Sequence, residues 1–283
     1  MTAAGIVTYN PDMDRLYDNI SRLLEQCEVV LIVDNYSKDR ATIRKLASQC
    51  KRIYLIQNTR NEGIAKGLNQ LVDLAYELGF EWILTMDQDS LIMPGLIDVY
   101  SQYAEMDKVA MMTCRITERN DPEANLKEQS FDYKQINKCI SSGCYTNIKA
   151  VRMLGGFDES YFIDYVDFDM CIRLIKAGYQ IIEINFRGLL HSTGNLFPMT
   201  ICGWEVKLRN KKIYIYNEKP DRIYYFFRNM VFFWRKYKIS GSDYTNPLHI
   251  AWRAFLVIAY EKPKKEKILK MIHGIMDGMR KNI

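Results

Sequence analysis

The sequence predicts an α/β protein, with a Rossmann-like, mostly parallel sheet flanked by helices and a C-terminal helical extension rich in aromatic and basic residues. Over roughly the first hundred residues, short β-branched runs alternate with longer amphipathic stretches, as β-α-β-α units require. The runs at 29–34 and 82–87 are almost wholly apolar and end on a carboxylate. After Phe197 the pattern changes to alternating aromatic and cationic residues.

The predicted elements follow from hydrophobic periodicity and from helix-start signals. Asn10-Pro11-Asp12 indicates the start of a helix that continues to about Cys27. Strands are predicted at 5–9, 29–34, 52–58, 82–87 and 109–113, and further helices at 64–78, 94–105, 149–154 and 166–177. Residues 117–135 are polar and lack core periodicity. In such a sheet the ligand crevice lies beyond the carboxyl ends of the strands, where we expect Tyr9, Asp34, Asn58 and Asp87.

Charge divides the chain into two parts. Residues 1–199 hold 21 Lys+Arg and 27 Asp+Glu, a net −6, whereas residues 200–283 hold 18 and 7, a net +11. An acidic body with a basic tail predicts a catalytic domain over 1–199 and an extension over 200–283 that attaches to something anionic.

The cysteine pattern and the hydropathy of the chain indicate its cellular location. The seven cysteines form no C-x-x-C pair, so the pattern indicates neither a disulfide framework nor a zinc site and favours a reducing cytoplasm. The N-terminus lacks the pattern of a signal peptide, and no run of about 18 apolar residues occurs. We therefore expect a soluble protein or one that lies on a surface.

Two acidic clusters are candidates for chemistry. Asp87 and Asp89 lie two apart where a buried strand ends, which suits Mg²⁺ or Mn²⁺ held together with substrate phosphates, although a solvated turn is the simpler interpretation. In the second cluster, Asp167 is the candidate general base and Asp164 the reserve. Asp169 is assigned to capping or support at the first turn of a helix.

His191 is one of three histidines and follows an apolar segment. A lone histidine is more often structural than a ligand. Its position after a strand, on the same side as the acidic clusters, makes contact with a metal or a diphosphate the alternative.

The order of the motifs resembles the inverting family 2 nucleotide-sugar glycosyltransferases with the GT-A fold, over residues 5–195. The matching pieces are VTYNP at 7–11, VDNYSKD at 33–39, NTRNEGIAKGLN at 58–69, MDQDS at 86–90, GGFDESYFIDYVDFDMCIRLIKAGY at 155–179 and LLHSTG at 189–194. The motif FIDYVD, together with RIYYFFRN at 222–229, is similar to the sequences of bacterial rhamnosyltransferases that use dTDP-L-rhamnose.

The resemblance implies roles for residues of the nucleotide pocket. Tyr9 and Asp34 match positions that hold the base. Asn61, Gly63 and Lys66 match positions that line the pocket.

It also implies roles at the reacting centre. Asp87 matches the residue near the ribose, Asp89 the ligand of the divalent metal on the donor diphosphate, and His191 a second contact to metal or diphosphate. Asp167 matches the catalytic base. The chain departs from the family pattern because a valine precedes Asp167 where glutamate is usual, and Asp164 lies three residues earlier, so the base is left open between these two aspartates.

The segment 222–238 holds eight aromatics among five cations. It is interpreted either as a helix packed on the catalytic domain or as an interfacial helix on anionic lipid. Arg228 and Asn229 are alternative contacts for donor or acceptor phosphate.

The favoured hypothesis is a rhamnosyltransferase that builds a bacterial surface polysaccharide from dTDP-L-rhamnose. It would use Mn²⁺ or Mg²⁺ and a glycan or lipid-linked acceptor, at the inner face of the cell membrane and without nucleic acid. The alternatives are a UDP-galactofuranose, UDP-glucose or UDP-N-acetylhexosamine donor, or a non-catalytic nucleotide- or nucleic-acid-binding module.

Overall fold

The computed structural model describes residues 1–119, 131–191, 196–201, 204–208, 211–212, 214–238 and 247–283. They belong to two compact units, Met1–Phe162 with Val166–Ser192, and Ile163–Tyr165 with Thr193–Ile283. The predicted functional domains, 1–199 and 200–283, stay predictions because a compact unit need not be a functional domain. The end of the LLHSTG motif, residues 192–194, lies outside the described residues.

Strands and helices alternate along the first unit. In chain order they are β1 (Thr2–Thr8), α1 (Met13–Gln26), β2 (Val29–Asp34), α2 (Arg40–Ser48), β3 (Ile53–Gln57), α3 (Ile64–Glu77), β4 (Trp82–Asp87), β5 (Leu91–Ile92), α4 (Leu96–Ser101), β6 (Val109–Glu118), β7 (Tyr133–Ile136), β8 (Cys144–Asn147), α5 (Ile148–Met153), α6 (Val166–Lys176) and β9 (Gln180–His191). The predicted strands and helices all occur, with shifted ends. The polar stretch 117–135 differs from the prediction because its described ends belong to β6 and β7.

The strands form one nine-stranded sheet in the order β3-β2-β1-β4-β8-β6-β9-β5, with β7 also paired to β9. The pairs β1–β2, β1–β4, β2–β3 and β6–β9 are parallel. Because β8 is antiparallel to both β4 and β6, these two run in the same direction. Six strands therefore share one direction, which confirms the mostly parallel sheet and places the carboxyl ends of β1, β2 and β4 at one edge.

Local signals in the sequence set the start and the packing of α1. The carboxylate of Asp12 caps the helix by accepting hydrogen bonds from the N–H groups of Asp14 and Arg15. Leu16 and Leu23 then lie fully buried in the core beneath the sheet. Capping and burial together fix the helix that follows the loop after β1.

The second unit contains α7 (Pro220–Tyr237), α8 (Pro247–Tyr260) and α9 (Lys264–Arg280). Its short antiparallel strand pairs are Leu196–Pro198 with Tyr214–Tyr216, Thr200–Ile201 with Trp204–Glu205, and Lys207–Leu208 with Lys211–Lys212. α9 packs closely on α7, since a Cβ on Gly274 would overlap the carbonyl oxygen of Tyr224, and one on Gly278 would overlap that of Arg228.

Most of the apolar side chains of α7 are buried within this unit. Ile223, Phe227, Met230, Phe232 and Phe233 are at most 2% exposed. The segment 222–238 is therefore a packed helix, and its predicted contact with the catalytic domain stays a prediction. In the part of the chain that the structure describes, no helix has the length and apolar content needed to cross a bilayer.

Candidate active site

The ends of β1 and β4 are joined at the carboxyl edge of the sheet. These two strands are parallel neighbours, and the loop residues that follow them touch, because the N–H of Tyr9 donates to Oε1 of Gln88 at 2.9 Å. The Tyr9 side chain is about half exposed. The predicted base-binding tyrosine therefore lies beside the loop that carries Asp87 and Asp89.

Asp34 at the end of β2 is fully buried. Its Oδ1 accepts the N–H of Ser37 at 3.1 Å, and its Oδ2 accepts Nε2 of Gln57 at 3.2 Å. Nε of Arg40 lies 3.7 Å from the same carboxylate. In this arrangement Asp34 holds the turn after β2, and its predicted contact with the base stays a prediction.

The next residue, Asn35, organises the turn before α3. Its Nδ2 donates to the carbonyl oxygen of Gly63 at 3.0 Å, and its Oδ1 accepts the N–H of Glu62 at 2.9 Å and Nδ2 of Asn58 at 3.1 Å. Asn35 is 2% exposed. A buried amide with all three of these bonds fixes a loop more firmly than solvent-exposed bonds would.

Gly63 is the N-cap of α3 and has a φ of +86°. Oδ1 of Asn61 accepts its N–H at 3.0 Å, and the following N–H, from Ile64, donates to the carbonyl oxygen of Phe162 at 2.6 Å. Nζ of Lys66 lies 3.2 Å from Oε1 of Glu159 in a partly exposed pair. The three predicted pocket residues thus lie together at the N-terminus of α3, where the helix dipole favours an anion.

The second half of the Met86–Ser90 motif faces His191 at the end of β9. Nδ1 of His191 is 2.9 Å from Oγ of Ser90 and 3.8 Å from Oδ2 of Asp87. The partly buried Asp89 carboxylate has no hydrogen bond or ion pair with the residues that the structure describes. The structure therefore brings Asp87, Asp89 and His191 into one neighbourhood.

The neighbourhood of Asp87, Asp89 and His191 holds some of the donor atoms that a metal ion needs. Within the described ranges, no group of three His, Cys, Asp or Glu side chains is close enough to hold a metal alone. A partner-free carboxylate at Asp89 is the kind of oxygen donor that Mg²⁺ and Mn²⁺ use, and such ions take most of their other ligands from phosphate and water. The donor set thus fits an ion that arrives with a diphosphate.

Asp167 lies in the first turn of α6 and faces a loop that also meets β4. Its Oδ1 accepts the N–H of Phe168 at 2.9 Å, and its Oδ2 accepts the N–H of Ser141 at 3.3 Å. Oγ of the next residue, Ser142, accepts the N–H of Asp87 at 3.2 Å. Two adjacent loop residues thus connect the candidate base to the acidic motif.

Asp169 has the supporting contacts that the sequence predicts. Its buried carboxylate lies 2.7 Å from Nε of Arg173, one turn later in α6. The same guanidinium donates to the carbonyl oxygens of Leu154 at 3.0 Å and Gly156 at 2.7 Å. The pair ties α6 to the glycine turn that precedes it.

Asp164 and Arg228 belong to the second unit. Asp164 has a φ of +63°, and its Oδ1 lies 3.1 Å from a guanidinium nitrogen of Arg222. Burial raises the pKa of this carboxyl, and the charge of Arg222 opposes the rise. Nδ2 of Asn229 donates to the carbonyl oxygen of Asp164 at 3.3 Å. Nε of Arg228 donates to Oδ1 of Asn229 at 2.9 Å, and the Arg228 guanidinium lies 4.9 Å from the centre of the Tyr225 ring.

Sequence reasoning missed the residues that hold the site together, namely Asn35, Ser90, Ser141 and Ser142. Short polar residues are common in every turn, so their presence after a strand carries no specific signal. Asn35 had the strongest available signal because it follows directly on the carboxylate at the end of β2.

Comparisons with known proteins identify the family of the chain. The family model "Glycosyl transferase family 2" matches residues 4–161. A relative from Shigella flexneri, described as dTDP-rhamnosyl transferase RfbF, is 29% identical over 299 aligned residues, which span 98% of this chain and 95% of the relative.

Solved structures show the same fold at low identity. The mannosyltransferase PcManGT from Pyrobaculum calidifontis, in complex with GDP-Man and Mn²⁺, has a TM-score of 0.56 at 16% identity, covering 100% of this chain and 76% of that one. GalNAc-T7 with UDP, GalNAc and Mn²⁺ has a TM-score of 0.59 at 10% identity, covering 99% of this chain and 56% of that one. The chain thus spans little more than half of the GalNAc-T7 chain.

Proposed function

The chain belongs to glycosyl transferase family 2, and from that premise we propose that it transfers L-rhamnose from dTDP-L-rhamnose to a glycan acceptor of a bacterial surface polysaccharide. One observation carries the choice of donor. The dTDP-rhamnosyl transferase of Shigella flexneri aligns with 98% of the chain, so the likeness includes the second unit as well as the part that the family model matches.

The nucleotide binds at the edge formed by β1, β2 and the N-terminus of α3. Tyr9 offers an exposed ring to the base, while buried Asp34 keeps the turn after β2 in place. The Asn61–Gly63 turn and Lys66 face the phosphates, where the helix dipole and the lysine charge both favour an anion. Arg228 of the second unit stays the alternative contact for donor or acceptor phosphate that the sequence predicts.

The transfer is a single displacement with inversion, in which Asp167 acts as the general base. Both carboxylate oxygens accept a backbone N–H, from Phe168 and Ser141, and these two hydrogen bonds fix the orientation of the carboxylate. A carboxylate held in this orientation is the group that takes the proton of the acceptor hydroxyl. Asp164 is the reserve base, although burial and its pair with Arg222 engage its carboxylate.

Asp89 and His191 would hold Mn²⁺ or Mg²⁺ on the donor diphosphate, and the bound ion would stabilise the negative charge of the leaving nucleotide. Two solved structures of similar fold that were determined with Mn²⁺ support this choice of ion. Ser90 orients His191 by its 2.9 Å contact with Nδ1. Asp87, whose backbone N–H donates to Oγ of Ser142, would contact the ribose.

The decisive experiment is a donor screen with Mn²⁺ or Mg²⁺, comparing dTDP-L-rhamnose with UDP-galactofuranose, UDP-glucose and UDP-N-acetylhexosamines. We expect turnover of dTDP-L-rhamnose to exceed that of every UDP-sugar. Preferential turnover of a UDP-sugar would overturn the choice of donor and leave the reaction class intact.

The roles of the acidic residues are tested separately. Loss of a general base reduces kcat by about 10²–10⁴-fold, which we expect for Asp167→Asn. Asp89→Ala should abolish the metal dependence of donor turnover. Asp107→Asn, at an exposed position outside the site, is the matched control. If Asp164→Asn loses turnover and Asp167→Asn retains it, the base is Asp164.

The same proposal includes a location at the inner face of the cell membrane, as a peripheral protein. The basic excess of residues 200–283, at +11, supports attachment to an anionic surface. Growing surface glycans are expected there on lipid carriers, so the enzyme would meet its acceptor at the same surface.

A further inference from the structure

Helix α9 presents an apolar stripe to solvent. Five large apolar side chains between 42 and 67% exposed follow each other at spacings of three and four residues along the helix and its end: Leu269, Ile272, Met276, Met279 and Ile283. Such spacing keeps the four that belong to α9 on one side of the helix, and Ile283 follows just after its end. The opposite side, which includes Met271, Gly274 and Gly278, is buried.

Helix α8 repeats this feature. Leu248, Trp252, Phe255 and Ile258 are between 46 and 81% exposed and again recur every three or four residues. The rings of Trp252 and Phe255 are stacked, with centroids 5.5 Å apart. An exposed tryptophan on an apolar helix side is typical of a membrane interface, where an amphipathic ring is favoured.

The segment that carries these stripes has a net positive charge. From Pro247 to Ile283 the sequence holds eight Lys+Arg and three Asp+Glu, a net +5. Lys264 and Lys265 are exposed at the start of α9, and Arg280 is exposed at its last turn. Apolar stripes bordered by cations form the pattern of helices that lie in the plane of an anionic bilayer surface.

We propose that the apolar stripes of α8 and α9, defined by the nine exposed apolar residues named above, are the surface by which the enzyme docks on anionic lipid. The inference rests on the proposed membrane location and assigns it to particular residues. The aromatic helix α7, for which the sequence left lipid contact as one of two interpretations, has most of its apolar side chains buried.

Charge decides between two occupants of this surface. A second copy would bring another net +5 against the first, whereas anionic headgroups would neutralise it. Each lysine near such a surface strengthens binding by about fivefold. The structure therefore favours lipid over self-association.

The test is co-sedimentation of the full chain with vesicles of phosphatidylcholine containing phosphatidylglycerol, and with vesicles of phosphatidylcholine alone. We expect binding to the anionic vesicles that weakens as salt is added. The double variant Ile272→Asp/Met276→Asp should reduce the partition coefficient by at least about tenfold, because two partly exposed apolar side chains no longer enter the interface. Met153→Asp, at a position 68% exposed in the first unit, is the matched control.

A second variant keeps the test independent of folding. Lys264→Gln/Lys265→Gln leaves the apolar stripe intact and should reduce anionic-vesicle binding by about 25-fold. All variants should retain turnover of dTDP-L-rhamnose with a soluble acceptor, so a failure of docking is distinguishable from a failure of the proposed activity. Vesicle binding that is unchanged by both variants overturns the proposal. A second outcome would also overturn it: the wild type does not bind vesicles but forms a dimer without lipid, seen by light scattering, and Ile272→Asp/Met276→Asp dissociates that dimer.

Discussion

The substitution Gly63→Ala tests the turn that opens α3. The new Cβ would lie 2.5 Å from the carbonyl oxygen of Phe162 and 2.7 Å from its Cδ2. Strain at the positive φ costs about 1 kcal/mol, loss of the bond from the Ile64 N–H about 1 kcal/mol, and displacement of packed groups at least about 1 kcal/mol. We therefore expect the free energy of unfolding to fall by about 3 kcal/mol and the KM for the donor to rise.

Gly79→Ala is the matched control at the other end of α3. Gly79 has a similar φ of +82°, and a Cβ there would meet nothing within 4 Å. Only the strain of about 1 kcal/mol remains, so the two thermal midpoints should differ by roughly 4–8 °C. Equal midpoints for the two variants, measured by circular dichroism, would refute the argument that Phe162 excludes a side chain.

Three further predictions concern buried charges. Asp169→Asn should lower the free energy of unfolding by about 3 kcal/mol, measured by urea denaturation, because Arg173 loses its buried partner. Glu261→Gln should cost a similar amount, about 3 kcal/mol, because buried Lys267 loses the carboxylate 2.8 Å away. A loss below 1 kcal/mol in either variant would contradict this reasoning. The pKa of Asp164 is raised by burial, so its folded form holds a proton more tightly, and stability falls as pH rises from the ordinary carboxyl pKa through the raised one. Asp164→Asn should flatten that part of the pH–midpoint curve, and an unchanged slope would contradict it.

The first half of the fold was predictable because its sheet is built from local, repeating units. The buried strands β2 and β4 need continuous apolar runs, and their polar last residues mark the carboxyl edge. The sequence did not predict β7 because its side chains are mostly exposed and show no alternation between buried and exposed positions. The insertion of β8 antiparallel between β4 and β6 depends on pairing between distant segments, which no local pattern records.

The candidate site divides in the same way. Asp87, Asp89 and Asp167 could be singled out in the sequence because they form closely spaced acidic clusters, one at the end of a buried apolar strand and one at the start of an amphipathic helix. Their roles stay predictions. The contacts of Ser141 and Ser142, which connect Asp167 to Asp87, could not be predicted. They depend on the conformation of a loop, which is determined by the pairing of strands that are distant in the sequence. The same holds for Asp34, which the fold buries completely although its place at the end of a strand predicted a position in the ligand crevice.

The glycine contact between α7 and α9 fixes the rotation of α9 about its own axis. Gly274 and Gly278 are one turn apart and meet the carbonyl oxygens of Tyr224 and Arg228, which are also one turn apart. Rolling the helix would drive a larger side chain into one of these carbonyls, so the apolar stripe cannot turn inward to escape water. A single-residue change, Gly278→Leu, would therefore disturb the direction in which Ile272 and Met276 point without altering either of them.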